Sequence, residues 1–221
     1  MIKVLNTKSK DFKKKINYYL NIRRKYSNNK ITTVKKIIND VRKNKDKSII
    51  KYEKKFNNLK YLKVNKLFFS KNEIEKNIKI LDKKVKNSID IAFIRIFNFH
   101  KNQKFKGFKI KDRYNNSFAY RSKPINKVGV YVPGGRASYP SSVLMNCIPA
   151  LIAGVKEIYM TVPCINGQIN PGVLYAAKKC KVKKIFKLGG AQAVAALAFG
   201  TKTVNKVDKI VGPGNEYVAL A

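Results

Sequence analysis

The chain has 221 residues, 44% of them apolar, which is enough for one large domain or two small ones and excludes a chain disordered throughout. Its 49 Lys+Arg against 12 Asp+Glu give a formal net charge of +37, and residues 1–127 hold most of the excess, with 38 basic and 9 acidic side chains. No run of about 18 apolar residues offers a membrane span, and the start Met1-Ile2-Lys3-Val4 carries no apolar export segment.

Residues 1–104 read as helices. Thr32 or Thr33 can cap a helix whose apolar face is Val34, Ile37, Ile38 and Val41, at the spacing i, i+3, i+4, i+7. Asn44–Asp46 should break it, and a second helix should bury Ile49, Ile50 and Phe56. Ser70-Lys71-Asn72-Glu73 is a capping box. It opens a stripe at Ile74, Ile78, Leu81, Val85, Ile89, Ala92 and Ile96, which Asp82 is placed to split into two helices. Packing is the expected role of this stripe, with a basic amphipathic membrane helix the lesser alternative. Around 105–127 the pattern changes. Phe105, Phe108 and Ile110 alternate loosely with Lys and Gly, Asn115-Asn116 reads as a turn, Phe118–Tyr120 reads as a short strand, and Pro124 limits its run.

From 128 onward strands and helices alternate. Val128–Val132 predicts a strand, followed by a loop through Pro133-Gly134-Gly135 to Pro140 and a helix capped by Ser141 or Ser142 that ends near Gly154. Ile158–Val162 predicts the next strand. Asn170-Pro171 supplies an N-cap followed by proline at the first helical position, and the helix runs to Cys180. Lys184–Leu188, Ala191–Phe199 and Lys209–Val211 continue as strand, helix and strand, with Glu216–Ala221 as the start of a further helix. The fold class is therefore α/β, a helical amino-terminal part followed by a parallel sheet built from βα repeats. Such sheets bind ligands beyond the carboxyl ends of their strands, where Pro133-Gly134-Gly135, Gly189-Gly190 and Gly212-Pro213-Gly214 fall.

Three polar side chains sit beside these glycines. Tyr131 ends a buried strand, while Gln192 and Asn215 each open a helix after a glycine turn. An amide can both donate to and accept from a ribose or a carboxamide. Asn215 is also a good N-cap, whereas Gln192 is not, which favours a ligand at Gln192. Gly212-Pro213-Gly214 holds only the first two glycines of a G-x-G-x-x-G fingerprint, with Tyr217 in the third place.

General acid–base and metal chemistry are not expected from this set of residues. The only histidine, His100, follows Ile96 by four residues on the helical stripe and should be packed and hydrogen-bonded. Glu157 and Asp208 precede strands, at the end of the sheet away from the ligand side, and Glu216 is near the site without a partner. One histidine assembles neither a Ser-His-Asp set nor a metal cluster. Cys147, Cys164 and Cys180 are widely spaced in apolar contexts, as expected of buried thiols in the reducing cytoplasm. The basic excess is mostly Lys rather than Arg, the residue that reads bases bidentately. Compositional drift explains it better than a nucleic-acid site.

The runs Val128-Gly129-Val130-Tyr131-Val132-Pro133-Gly134-Gly135 and Tyr139-Pro140-Ser141-Ser142-Val143-Leu144-Met145-Asn146 strongly resemble the histidinol dehydrogenase family. So do Gly189-Gly190-Ala191-Gln192-Ala193, Ala195–Thr201 and Val207-Asp208-Lys209-Ile210-Val211-Gly212-Pro213-Gly214-Asn215. Over 1–127 the likeness is diffuse, with Phe99-His100 and Pro124-Ile125 as landmarks. The resemblance implies a cytoplasmic, NAD-dependent, zinc-containing homodimer with Rossmann-like domains that oxidises L-histidinol to L-histidine in histidine biosynthesis. Its NAD-contacting tyrosine, glutamine and asparagine fall on Tyr131, Gln192 and Asn215. The family's catalytic Glu-His pair, substrate serine and zinc ligands lie beyond the matched segment. The resemblance thus implies the first half of the enzyme, with an incomplete first domain over 1–127 and a Rossmann-like NAD-binding domain over 128–221. A chain of this extent is expected to be inactive alone and to expose apolar surface. The competing expectation is a basic nucleic-acid-binding or non-catalytic interaction module on a dehydrogenase scaffold.

Overall fold

The computed structural model describes residues 4–22, 28–59, 63–134 and 139–221. Among the described residues five α-helices come first: α1 (Phe12–Ile22), α2 (Asn28–Asn44), α3 (Asp46–Asn57), α4 (Lys71–Lys79) and α5 (Lys83–Lys101). A hairpin of β1 (Phe108–Lys111) and β2 (Ser117–Tyr120) follows. Then come β3 (Lys127–Tyr131), α6 (Pro140–Ala153), β4 (Glu157–Thr161), α7 (Pro171–Lys179), β5 (Lys184–Phe186), α8 (Gly190–Phe199), β6 (Lys209–Val211) and α9 (Glu216–Ala219).

Strands β3 to β6 form one parallel sheet in the order β5-β4-β3-β6. The α/β class and the βα repeat read from the sequence are what the structure shows. Side chains alternate across this sheet as the two-residue period of a strand requires. Val128, Val130, Ile158, Met160 and Ile185 enter one core with Leu144 and Ile148 of α6 and Leu174 of α7. Tyr131, Tyr159 and Phe186 enter the other with Leu197 of α8. The amino-terminal helices cover both layers. Ile78 of α4 and Ile89 of α5 join the first core, while Val34, Ile37 and Val41 of α2 and Ile49 of α3 join the second.

Several local signals act as their chemistry dictates. The Ser70 hydroxyl accepts from Glu73 N while Ser70 N donates to the Glu73 carboxylate, closing the capping box. Asp82 caps α5 through Lys84 N and Val85 N, and Asn170 caps α7 ahead of Pro171. Other signals were overridden. Helix α2 begins at Asn28, so Thr32 and Thr33 lie inside it, and the Thr33 hydroxyl donates back to the Asn29 carbonyl. Helix α6 begins at Pro140 after Tyr139, with no side-chain cap, so Ser141 and Ser142 are in its first turn. Phe56 is half exposed rather than buried, and Val85 is also exposed. Gly135 lies outside the described residues. Among the described residues no helix is long and apolar enough to cross a membrane.

Candidate functional site

In chain order the sheet grows outward from β3 through β4 to β5, then returns to place β6 on the other side of β3. Helices α6 and α7 pack on one face and α8 on the other. The strand order thus reverses at β3, and the loops leaving β3 and β6 part over a crevice at the carboxyl edge. A cavity of about 460 Å³ opens there. Tyr131, Gly190, Gln192 and Asn215 all line it, so the three side chains singled out in the sequence share one cleft.

Glycine makes the cleft possible through close approach. A Cβ on Gly134 would sit 2.4 Å from Cγ of Pro163, and one on Gly189 would sit 2.5 Å from its Cβ. These two turns and the Pro163 loop are therefore pressed together at the mouth of the sheet.

Each polar residue has a defined local role. The Tyr131 hydroxyl accepts from Gly190 N at 3.1 Å, which leaves its O–H as a donor. Burial pushes this phenol's pKa up, against the Gly190 hydrogen bond, which lowers it. The Asn215 carbonyl caps α9, accepting from Tyr217 N at 3.1 Å and Val218 N at 3.2 Å. Its amide nitrogen is the remaining donor. Gln192 has an internal partner that the sequence did not suggest: its Nε2 donates to Glu53 Oε1 at 2.9 Å.

Glu53 comes from α3, in the helical part of the chain. It is fully buried, with Gly189 N at 3.1 Å on the same oxygen and Asn57 Nδ2 on the other. Burial pushes its pKa up, while the hydrogen bonds from Gln192, Gly189 and Asn57 pull it down. Thr33 and Ile37 of α2 and Phe56 and Asn57 of α3 complete the wall. None of these α2 and α3 residues was singled out as a site residue. One signal was available. Glu53 follows Ile49 by four residues and so shares its buried face, a costly place for a lone carboxylate.

Tyr217 also lines the cavity. His100 is half-buried at the end of α5 and makes a local, exposed hydrogen bond with Gln103 through Nδ1. It borders a separate cavity with Phe105 and Pro149. Glu216 was expected to lack a partner but pairs with Lys30 of α2. Asp208 accepts from Lys127 N at the amino end of the sheet. Among the described residues no group of three or more His, Cys, Asp or Glu side chains could hold a metal ion.

A parallel sheet that reverses over a glycine-lined cleft defines a Rossmann-like α/β protein. The sequence profile of histidinol dehydrogenase matches residues 21–221. Histidinol dehydrogenase of Pelagibacter ubique is 50% identical over all 221 residues, which make up 50% of that protein. The Agrobacterium fabrum enzyme is 43% identical over 217 residues, again 50% of its length. The crystal structure of histidinol dehydrogenase from Elizabethkingia anophelis superposes with a TM-score of 0.83 at 36% identity, covering 89% of this chain and 45% of that one. The chain belongs to the histidinol dehydrogenase family, and it spans about half the length of the curated relatives it matches.

Proposed function

We propose that the cleft at the carboxyl edge of the sheet binds NAD and that the chain supplies the dinucleotide-binding part of a histidinol-oxidising enzyme. The observation that carries this reading is the convergence of Tyr131, Gln192 and Asn215 on one cavity at the strand-order reversal. The cavity falls within the usual size range of ligand pockets, about 300–1,000 Å³, and it mixes apolar walls with a few polar groups. Tyr131 and Asn215 each retain a donor, and Gln192 retains an acceptor, which suits the hydroxyls of a ribose and the amide of a nicotinamide.

Bound NAD would supply the hydride acceptor. The chain's own residues would bind and orient the dinucleotide and keep water from it. Oxidising an alcohol also needs a base for its proton, and the only histidine, His100, borders a different cavity. By itself, then, the chain is proposed to bind NAD without turning over histidinol. Histidinol as substrate and a homodimeric assembly belong to the same proposal. The described residues do not fit zinc, since no three His, Cys, Asp or Glu side chains among them group to hold a metal ion. A cytoplasmic location suits the three buried free thiols, Cys147, Cys164 and Cys180.

Titration calorimetry of the chain with NAD tests the reading. Saturable one-site binding that Gln192→Ala weakens about tenfold is expected, the size of one lost hydrogen bond. No heat of binding, or equal affinity in the variant, would remove the cleft from consideration.

A further inference from the structure

Glu53 carries a role that depends on the NAD-binding reading of the cleft but goes beyond it. It is a carboxylate at 0% exposure, and among the described residues no cation is bonded to it. Its partners are Gly189 N, Gln192 Nε2 and Asn57 Nδ2, all donors. With all three partners donating, both carboxylate oxygens act as acceptors, which sets which end of the Gln192 amide faces them. The nitrogen is committed to Glu53. Gln192 Oε1 makes no hydrogen bond among the described residues and lies beside Gly190, 2.9 Å from where a Cβ would stand on that cavity-lining glycine.

We infer that Glu53 is a positioning residue, which locks the Gln192 amide so that the cleft presents an acceptor, and therefore selects a ligand group that donates at that point. A ribose hydroxyl or a carboxamide nitrogen meets this requirement, and a carbonyl or phosphate oxygen does not. The same carboxylate also holds Gly189 N at 3.1 Å, tying α3 to the turn that leads into α8 and Gln192. In Glu53→Leu the acceptor shared by Gly189 N and Gln192 Nε2 is gone at similar volume, so the Gln192 amide is free to turn its nitrogen to the cleft.

A double-mutant cycle on NAD affinity separates this from a general packing role. Glu53→Leu should weaken binding about tenfold when Gln192 is present and by less than about twofold in the Gln192→Ala background. Equal losses in both backgrounds, or no loss in either, would overturn the inference. A second measurement needs no ligand and no variant to fold. The side-chain amide protons of Gln192, followed by nuclear magnetic resonance of the unmodified chain, should exchange with solvent far more slowly than those of an exposed glutamine. Exchange at the exposed rate would show that Glu53 does not hold the amide. If NAD fails to bind the parent chain, the NAD reading falls, while slow amide exchange would still uphold the positioning role and fast exchange would end it.

Discussion

The carboxyl edge of the sheet and the β1–β2 hairpin are both made of short strands, yet their surroundings differ completely. In β3 and β4 every residue after the first is buried, and the turns beyond them press together around Pro163. In the hairpin all eight paired residues are exposed, among them Phe108, Ile110, Phe118 and Tyr120. Burial on both faces leaves the sheet little tolerance for change. The hairpin is held by its ladder, by the Asp112–Asn116 turn and by aromatic contacts such as Phe105 against Tyr120.

Substitutions of graded severity sharpen this contrast. The largest effect is expected at Leu197, fully buried in α8 and in contact distance of where a Gly129 Cβ would stand. Leu197→Ala should cost about 2–5 kcal/mol in urea unfolding, since a cavity is left between helix and sheet. Gly212→Ala comes next. Its φ of +132° is poorly tolerated by other residues, and its Cβ would lie 2.0 Å from the Tyr131 carbonyl oxygen. A loss of about 1–3 kcal/mol is expected for that strain.

Asp40 tests the amino-terminal helices rather than the sheet. Its carboxylate accepts from Ser48, Asn44, Lys51 and Tyr52, tying α2 to α3. These bonds hold its pKa well below the ordinary carboxylate range, against the desolvation that raises it. A carboxyl depressed in the folded state contributes stability above its unfolded value, about 4, and that contribution is lost as pH falls. Asp40→Asn should therefore lower stability at pH 7 by about 1–2 kcal/mol and flatten the decline of melting temperature below about pH 4. The smallest effect belongs to the hairpin. Phe118→Ser should stay within about 0.5 kcal/mol of the parent. A loss as large as that of Leu197→Ala would mean the hairpin face is covered in solution.

The same contrast explains what could be read in advance. Short-range chemistry was legible: the Ser70–Glu73 box, the Asp82 and Asn170 caps and the glycine at 154 all act within a few residues of their own position. That Tyr131, Gln192 and Asn215 share one cleft was legible because each stands at a strand end or beside a glycine turn on the same edge of the sheet. Helix starts without a side-chain cap were not, as at Pro140, where proline geometry suffices. The wall of the cleft from α2 and α3 was hidden for a different reason. Glu53 and Gln192 are 139 positions apart, and no local pattern encodes a pairing that depends on how helices dock across a sheet.

The central claim is that one cleft, at the reversal of the sheet, takes the dinucleotide. Backbone amide shifts of the labelled chain titrated with NAD test it directly. The largest changes should fall on Tyr131, Gly190, Gln192 and Asn215 and saturate together. Changes confined to the hairpin at 108–120, or no saturable change anywhere, would contradict it.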